Sequence, residues 1–338
     1  MVALTHFGGT ASATSTPKIG HGTMMMTWKP THVPDEQCFA AIRATVEALP
    51  AGAKAFIVSG EFYGIEPREA NLDLLKRYFD RYPEDKEKIF ISVKGGLSAS
   101  WENIHTEENL RQSVDNIKAH LGSKHLDLFE CARVDQGRPI EETIATLAKL
   151  VKEGKFDHIG LSECSVETLR RAHAVHPISI VEIEVSPWSY EDNAKGVIAL
   201  AKELGVTVAA YSPLGRGVLV GRFKSTAEIE DGDIRKHLDR FKDGNFEHNV
   251  QVAEKLAAVG AKKGITPAQL CLAWVASLGD HVVPIPGSSH ADRARENLAA
   301  GDIVLTQEDI AAINDAIRNN AVKGDRGRGN RQHENLNG

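Results

Sequence analysis

The chain has 338 residues, of which 42% are apolar and 25% charged, and its net charge is −6 at pH 7. These values suit a folded globular protein and give no reason to expect nucleic acid or an anionic membrane as partner. No apolar run approaches the about 18 residues that a membrane span needs. The four cysteines, Cys38, Cys131, Cys164 and Cys271, are too scattered for a disulfide framework or a zinc site, so no metal is expected. With no secretory signal at the N-terminus, the reading is a cytoplasmic protein.

Residues 1–18 are rich in Ser, Thr, Ala and Gly and carry little pattern, so they are expected to form a flexible N-terminal extension. Short apolar segments then recur at 19–24, 54–59, 88–95, 126–132, 156–162, 179–186, 206–212 and 282–288. Most are too apolar for a strand with one wet face, as in a parallel sheet covered by helices. Between them lie stretches with helical apolar spacing: Asp35 to Leu49, then NLDLLKRYF, NLRQSVDNIKAHL, IEETIATLAKLVKEG, SVETLRRAHAV and NAKGVIALAKELG. Thr106, Pro139 and Ser165 supply helix starts. A long polar connection, GRFKSTAEIEDGDIRKHLDRFKDGNF, and further helical stretches separate the seventh segment from the eighth. Residues 321–338 read as a flexible, Gly-rich C-terminal tail.

Alternating segments of this number and spacing predict a single (β/α)8 TIM barrel over residues 19–320. A doubly wound sheet is the alternative, weakened because no G-x-G-x-x-G follows the first strand. In a barrel, chemistry sits where strands end. The second strand leaves through GEFYG with Tyr63, and the third ends at Lys94. An ammonium beside a phenol lowers the phenol pKa and yields a usable proton donor. A packed ring and a solvated amine are the plain alternative. The fifth to eighth ends carry Ser162, Glu163, Glu182, Tyr211, Ser212, Leu214, Gly217, Gly287, Ser288, Arg293 and Asn297. There Ser288 or Ser289 can cap a helix whose N-terminus favours an anion, and Arg293, one turn in, can pair with a phosphate.

The motifs GEFYG, SVKGG, ARVD, IGLSECS, AYSPLGRG and P-G-S-S-x-x-x-R-x-x-x-N, in this order, resemble the aldo-keto reductase family from about Gly20 to Asn314. The resemblance implies a single barrel that binds NADPH without a Rossmann fold and reduces aldehydes or ketones. It gives Tyr63 the role of proton donor and Lys94 that of its tuning lysine. Tyr211 matches the ring that stacks on the nicotinamide, with Ser162 and Glu182 at the carboxamide. Ser212, Leu214 and Gly217 match the pyrophosphate loop. Gly287, Ser288, Arg293 and Asn297 match the adenosine 2′-phosphate and adenine contacts, and Gly22, Thr23 and Met24 the first-strand turn near the cofactor. Trp28, Ala132 and Arg133 are the expected substrate contacts.

Two positions depart from the family pattern. Val58 stands where the family has the aspartate that anchors the lysine, and Ala132 where it has a histidine. Alanine at the second place, with F-E-C-A-R-V-D, N-L-D-L-L and G-E-F-Y-G, is similar to the fungal pyridoxal reductase branch. That likeness implies reduction of pyridoxal to pyridoxine, a step of vitamin B6 metabolism, by a monomer or weak oligomer. Reduction of another aldehyde or ketone, an aldolase-type lyase acting through Lys94, and a cofactor-binding regulatory subunit with little turnover are the competing readings.

Overall fold

The computed structural model describes residues 2–327 apart from residues 99 and 243. It contains an N-terminal hairpin, β1 (Leu4–His6) and β2 (Ser15–Pro17), and eight further strands in one parallel sheet. These are β3 (His21–Gly22), β4 (Ala55–Gly60), β5 (Ile89–Gly95), β6 (Leu128–Cys131), β7 (His158–Ser162), β8 (Ile180–Glu184), β9 (Thr207–Tyr211) and β10 (Val282–Pro284). Each pairs with the next in chain order. The sheet curls shut where Gly22 bridges Gly287, with Gly20 N donating to the Pro284 carbonyl at 2.9 Å and Gly22 N to Pro286 at 3.1 Å. The architecture is the predicted (β/α)8 barrel.

Every residue of β4 and β5 is buried, because side chains alternate between the barrel interior and the surrounding helices. The interior is filled by Phe56, Phe90, Leu128, Ile180, Ala209 and Val283. Outside, helices at Asp35–Glu47, Ala70–Arg81, Glu107–Leu121, Ile140–Lys152, Val166–Val175 and Asp192–Leu204 cover the sheet. The expected starts are real: Thr106 Oγ1 accepts from Asn109 N at 3.2 Å and Ser165 Oγ from Thr168 N at 3.1 Å. After β9 the long connection makes only short 3₁₀ turns before the helices Asn245–Lys263 and Pro267–Ala276.

The N-terminal residues differ from the expectation of a loose extension. Residues 4–17 form the β1–β2 hairpin, and Phe7, 3% exposed, plugs the barrel floor with its ring 4.4 Å from Phe90 and 5.0 Å from Phe56. Gly9 lets this segment approach: its φ is +51°, and a Cβ there would lie 2.4 Å from the Ile178 carbonyl oxygen. The tail also differs up to residue 327; Lys323 N donates to Asn249 Oδ1 and Asp325 N to Asp239 Oδ2, each at 2.9 Å. The rest of the expected tail, residues 328–338, lies outside the described residues.

Phe7→Ala should lower the unfolding free energy, read by urea titration, by about 3 kcal/mol, the usual cost of emptying a buried phenyl site. A loss within about 0.5 kcal/mol would mean that the segment is the loose end its composition suggests.

Candidate active site

The site begins with the turn that follows β4. Tyr63 N donates to the Gly60 carbonyl at 3.2 Å, which folds the tyrosine back over the strand end. Gly60 permits this, because a Cβ there would lie 2.9 Å from the Tyr63 ring. Glu61 ties the turn to the helix Glu107–Leu121 by accepting from Ser113 Oγ at 2.5 Å and Asn116 Nδ2 at 2.8 Å. Tyr63 is 7% exposed and packs with Phe62, Ala132, Met24, Trp28 and Leu97.

Beside it, the register sets Lys94 of β5 between Gly60 of β4 and Glu130 of β6. The Lys94 ammonium lies 5.4 Å from the Tyr63 ring centroid. Nζ donates to Glu182 Oε2 of β8 at 2.6 Å and to Glu130 Oε1 at 3.3 Å. All three side chains are buried. Burial alone would lower the lysine pKa, but the neighbouring carboxyls, Glu182 foremost, outweigh it and hold the ammonium above its ordinary value. Burial, and after it the Glu182 charge, pushes the Glu130 carboxyl well above the usual carboxylate range, against the pull of Lys94. Two expectations change here. Lys94 is well held although Val58 offers it nothing, and Glu182 meets Lys94, with Oε2 committed to that ion pair. The Tyr63 phenol, expected to fall under the influence of Lys94, is instead pushed up to about 12 by burial, with Glu182 and Glu130 opposing the lysine. It is therefore a neutral phenol at physiological pH, able to donate a proton.

One cavity of about 1170 Å³ collects the residues that the sequence singled out. From the β3 exit come Gly22, Thr23, Met24 and Trp28, joined by Tyr63 and Lys94. The β6 to β8 ends give Ala132, Arg133, Ser162 and Glu182. Tyr211, Ser212, Leu214 and Gly217 follow β9, and Gly287, Ser288, Arg293 and Asn297 follow β10. Arg133 Nη1 donates to the Ala132 carbonyl at 2.5 Å and to Ser162 Oγ at 3.5 Å. Backbone strain concentrates at this rim, where the non-glycine residues Glu163, Ser212 and Arg216 have φ of 50°, 51° and 55°.

At the β9 end, the Tyr211 hydroxyl donates to Glu163 Oε1 at 2.7 Å, which fixes the ring. Arg326 of the C-terminal segment clamps the same carboxylate at 3.2 and 3.3 Å and lies 3.8 Å from Glu184. The serines do not cap the helix Ala291–Ala299; its N-cap is His290, whose N–H donates to Ser288 Oγ at 3.0 Å. Arg293 stands exposed on that helix and lines the cavity. Burial and the charges of Arg235 and Arg293 lower the Arg222 pKa, which marks these guanidinium groups as neighbours that repel. Asp233 offsets part of that charge and is itself held by Arg235 Nε at 2.9 Å. The cluster is a ready anion site.

Sequence reasoning missed several contributors. Arg222 and Arg235 lie in the patternless connection after β9. Asn71 is wholly buried; it accepts from Thr23 Oγ1 at 2.6 Å and Ser59 Oγ at 2.7 Å and donates to Thr27 Oγ1 at 2.7 Å. It thereby holds the Met24–Thr27 turn, and so Trp28, at the cavity. A polar residue on the apolar stripe of NLDLL was its only signal. Trp101 has its ring centroid 6.0 Å from Trp28 and 6.0 Å from Phe62, and widens the aromatic wall.

Comparison with known proteins shows the family. Residues 18–318 match the model of the aldo/keto reductase family. The chain is 36% identical over 299 residues to a probable pyridoxal reductase 2 of Schizosaccharomyces pombe, covering 86% of this chain and 89% of that one. It is 37% identical over 290 residues to an aldo-keto reductase, str7, of Strobilurus tenacellus, covering 83% of this chain and 82% of that one. Its fold matches a glycerol dehydrogenase of Gluconobacter oxydans with a TM-score of 0.80 at 20% identity, over 95% of this chain and 97% of the other. It also matches a thermostable aldo-keto reductase crystallised with the inhibitor epalrestat, with a TM-score of 0.70 at 21% identity over 93% and 99% of the two chains. The chain belongs to the aldo/keto reductase family.

Proposed function

We propose that the protein is an NADPH-dependent carbonyl reductase whose substrate is pyridoxal. The observation that carries the chemistry is the buried Tyr63–Lys94 pair at the floor of a cavity walled by Trp28, Phe62 and Trp101. Such a wall suits a flat aromatic ring. Ala132, beside Tyr63, leaves the room that a histidine would fill. The likeness to a probable pyridoxal reductase supports the same substrate.

The donor set fits a phosphorylated nicotinamide nucleotide. Arg222, Arg235 and Arg293 leave positive charge that an anion would relieve, and Tyr211 offers a ring held by Glu163. The bound nucleotide supplies the hydride. The chain's own residues do the rest. The aromatic wall orients the aldehyde and excludes water. Tyr63 Oη, neutral at physiological pH, gives its proton to the carbonyl oxygen as charge develops there. Lys94 then balances the phenolate, because its ammonium is held in place by carboxylates.

The same geometry argues against the lyase reading. A Schiff base needs a neutral amine, and the glutamates keep Lys94 protonated. It also argues against a subunit with little turnover, since the lysine is anchored without the family's aspartate.

Tyr63→Phe keeps the ring and removes only the proton donor. With NADPH and pyridoxal, turnover should fall about 10²-fold or more while NADPH affinity stays within twofold. Wild-type turnover in this variant would sink the mechanism. Arg293→Ala should weaken NADPH binding about ten- to a hundredfold in fluorescence titration and leave NADH nearly unchanged, since only the former carries the extra phosphate. Equal losses for both would remove Arg293 from the phosphate site. Ala132→His should raise KM for pyridoxal more than for a small aliphatic aldehyde; the reverse order would contradict the fit of a flat ring.

A further inference from the structure

Lys94 is an ammonium with almost no access to solvent, and such a group persists only when it is paired. The partner expected from β4 is missing, for position 58 is an apolar valine packed with Phe56 and Phe90. The partners present come from the other direction around the barrel, from β6 and β8. Glu182 Oε2 lies at 2.6 Å and Glu130 Oε1 at 3.3 Å from Nζ, and neither carboxylate is exposed by more than 5%. The register explains how two carboxylates reach one amine. Glu130 is the β6 neighbour of Lys94, and the β7 residue beside Glu130 is Gly160. A Cβ at Gly160 would lie 3.0 Å from the Glu130 Cβ, so the glycine leaves space for the carboxyl. Glu182 then approaches from β8, beyond Gly160 and Ser162.

We propose that Glu182 is the positioning residue of this active site, holding Lys94 against Tyr63 from β8, with Glu130 as its second, weaker partner. This rests on the assignment of Tyr63 as proton donor. It gives Glu182 a task different from the amide contact expected for it. The carboxylate fixes the amine in space and partly cancels its charge. The phenol therefore stays protonated until the carbonyl takes its proton, with Lys94 beside it to meet the phenolate that follows. Glu130 stands farther from the amine, at 3.3 Å, and its own burial opposes ionisation, so it is the weaker counter-charge. The 2.6 Å Lys94–Glu182 pair thus supplies the counter-charge that the burial of the ammonium demands.

The test is Glu182→Gln, a replacement of the same shape that removes the charge. If Glu182 positions Lys94, kcat for NADPH-dependent reduction of pyridoxal should fall about ten- to a hundredfold, the worth of a hydrogen bond to a charged group. KM for pyridoxal and the Kd of NADPH should stay within about twofold. Adding Glu130→Gln removes the remaining carboxylate and should deepen the loss in kcat. Adding Val58→Asp to Glu182→Gln returns an anion to the amine from β4 and should recover most of kcat. An unchanged kcat in Glu182→Gln, or a loss that appears as weaker NADPH binding and is not recovered by Val58→Asp, would overturn the proposal. Those results leave the role of Tyr63 intact, whereas normal turnover in Tyr63→Phe would overturn the role of Tyr63 itself.

Discussion

The structure of the site follows from one constraint: an ammonium sealed inside a barrel must have an anion beside it. Lys94 sits where β5 ends, almost wholly buried, and the charge balance around it is made by Glu182 and Glu130. That balance decides the protonation of each neighbour. It keeps Lys94 charged, while burial first and the Glu182 charge after it raise the Glu130 carboxyl and push the Tyr63 phenol up to about 12. A lysine facing a tyrosine without these carboxylates would be a different acid–base device, with the phenol nearer to ionisation. On the proposed mechanism the pair gives a proton.

The cavity has a second centre of charge at its other end. Arg222, Arg235 and Arg293 gather near the start of the helix Ala291–Ala299, with Asp233 as partial counterweight. Tyr211 lines the same cavity and is held by Glu163, which Arg326 in turn clamps. Thus a cluster of arginines, a fixed aromatic ring and a neutral phenol beside an ammonium line one cavity. It arises from residues on β4 to β10 and the segments after them, which only the barrel brings together.

Much of this was legible in the sequence. The strands and their covering helices stand out because parallel strands buried on both faces read as apolar runs, and GEFYG and SVKGG mark where two of them end. The residues at those ends do converge. What stayed hidden has physical reasons. Glu130 in LFEC reads as a flaw in an apolar strand until register pairs it with Lys94. Phe7 sits in a stretch rich in small and polar residues, and its importance comes only from the ring it meets across the barrel floor. Arg222 and Arg235 belong to a connection without periodicity, whose turns are fixed by tertiary contacts. Arg326 lies in a polar, Gly-rich tail whose composition signals disorder, yet its guanidinium finds three glutamates, Glu163, Glu184 and Glu191, at the barrel mouth.

The most direct test of the whole account is the reaction itself. The purified protein is given NADPH deuterated at the transferable position, with pyridoxal as sole acceptor, and the product is analysed by mass spectrometry and NMR. The account predicts oxidation of the cofactor in step with formation of pyridoxine carrying one deuterium on the former aldehyde carbon. Cofactor that binds but is not oxidised by pyridoxal or by any other aldehyde or ketone would contradict it.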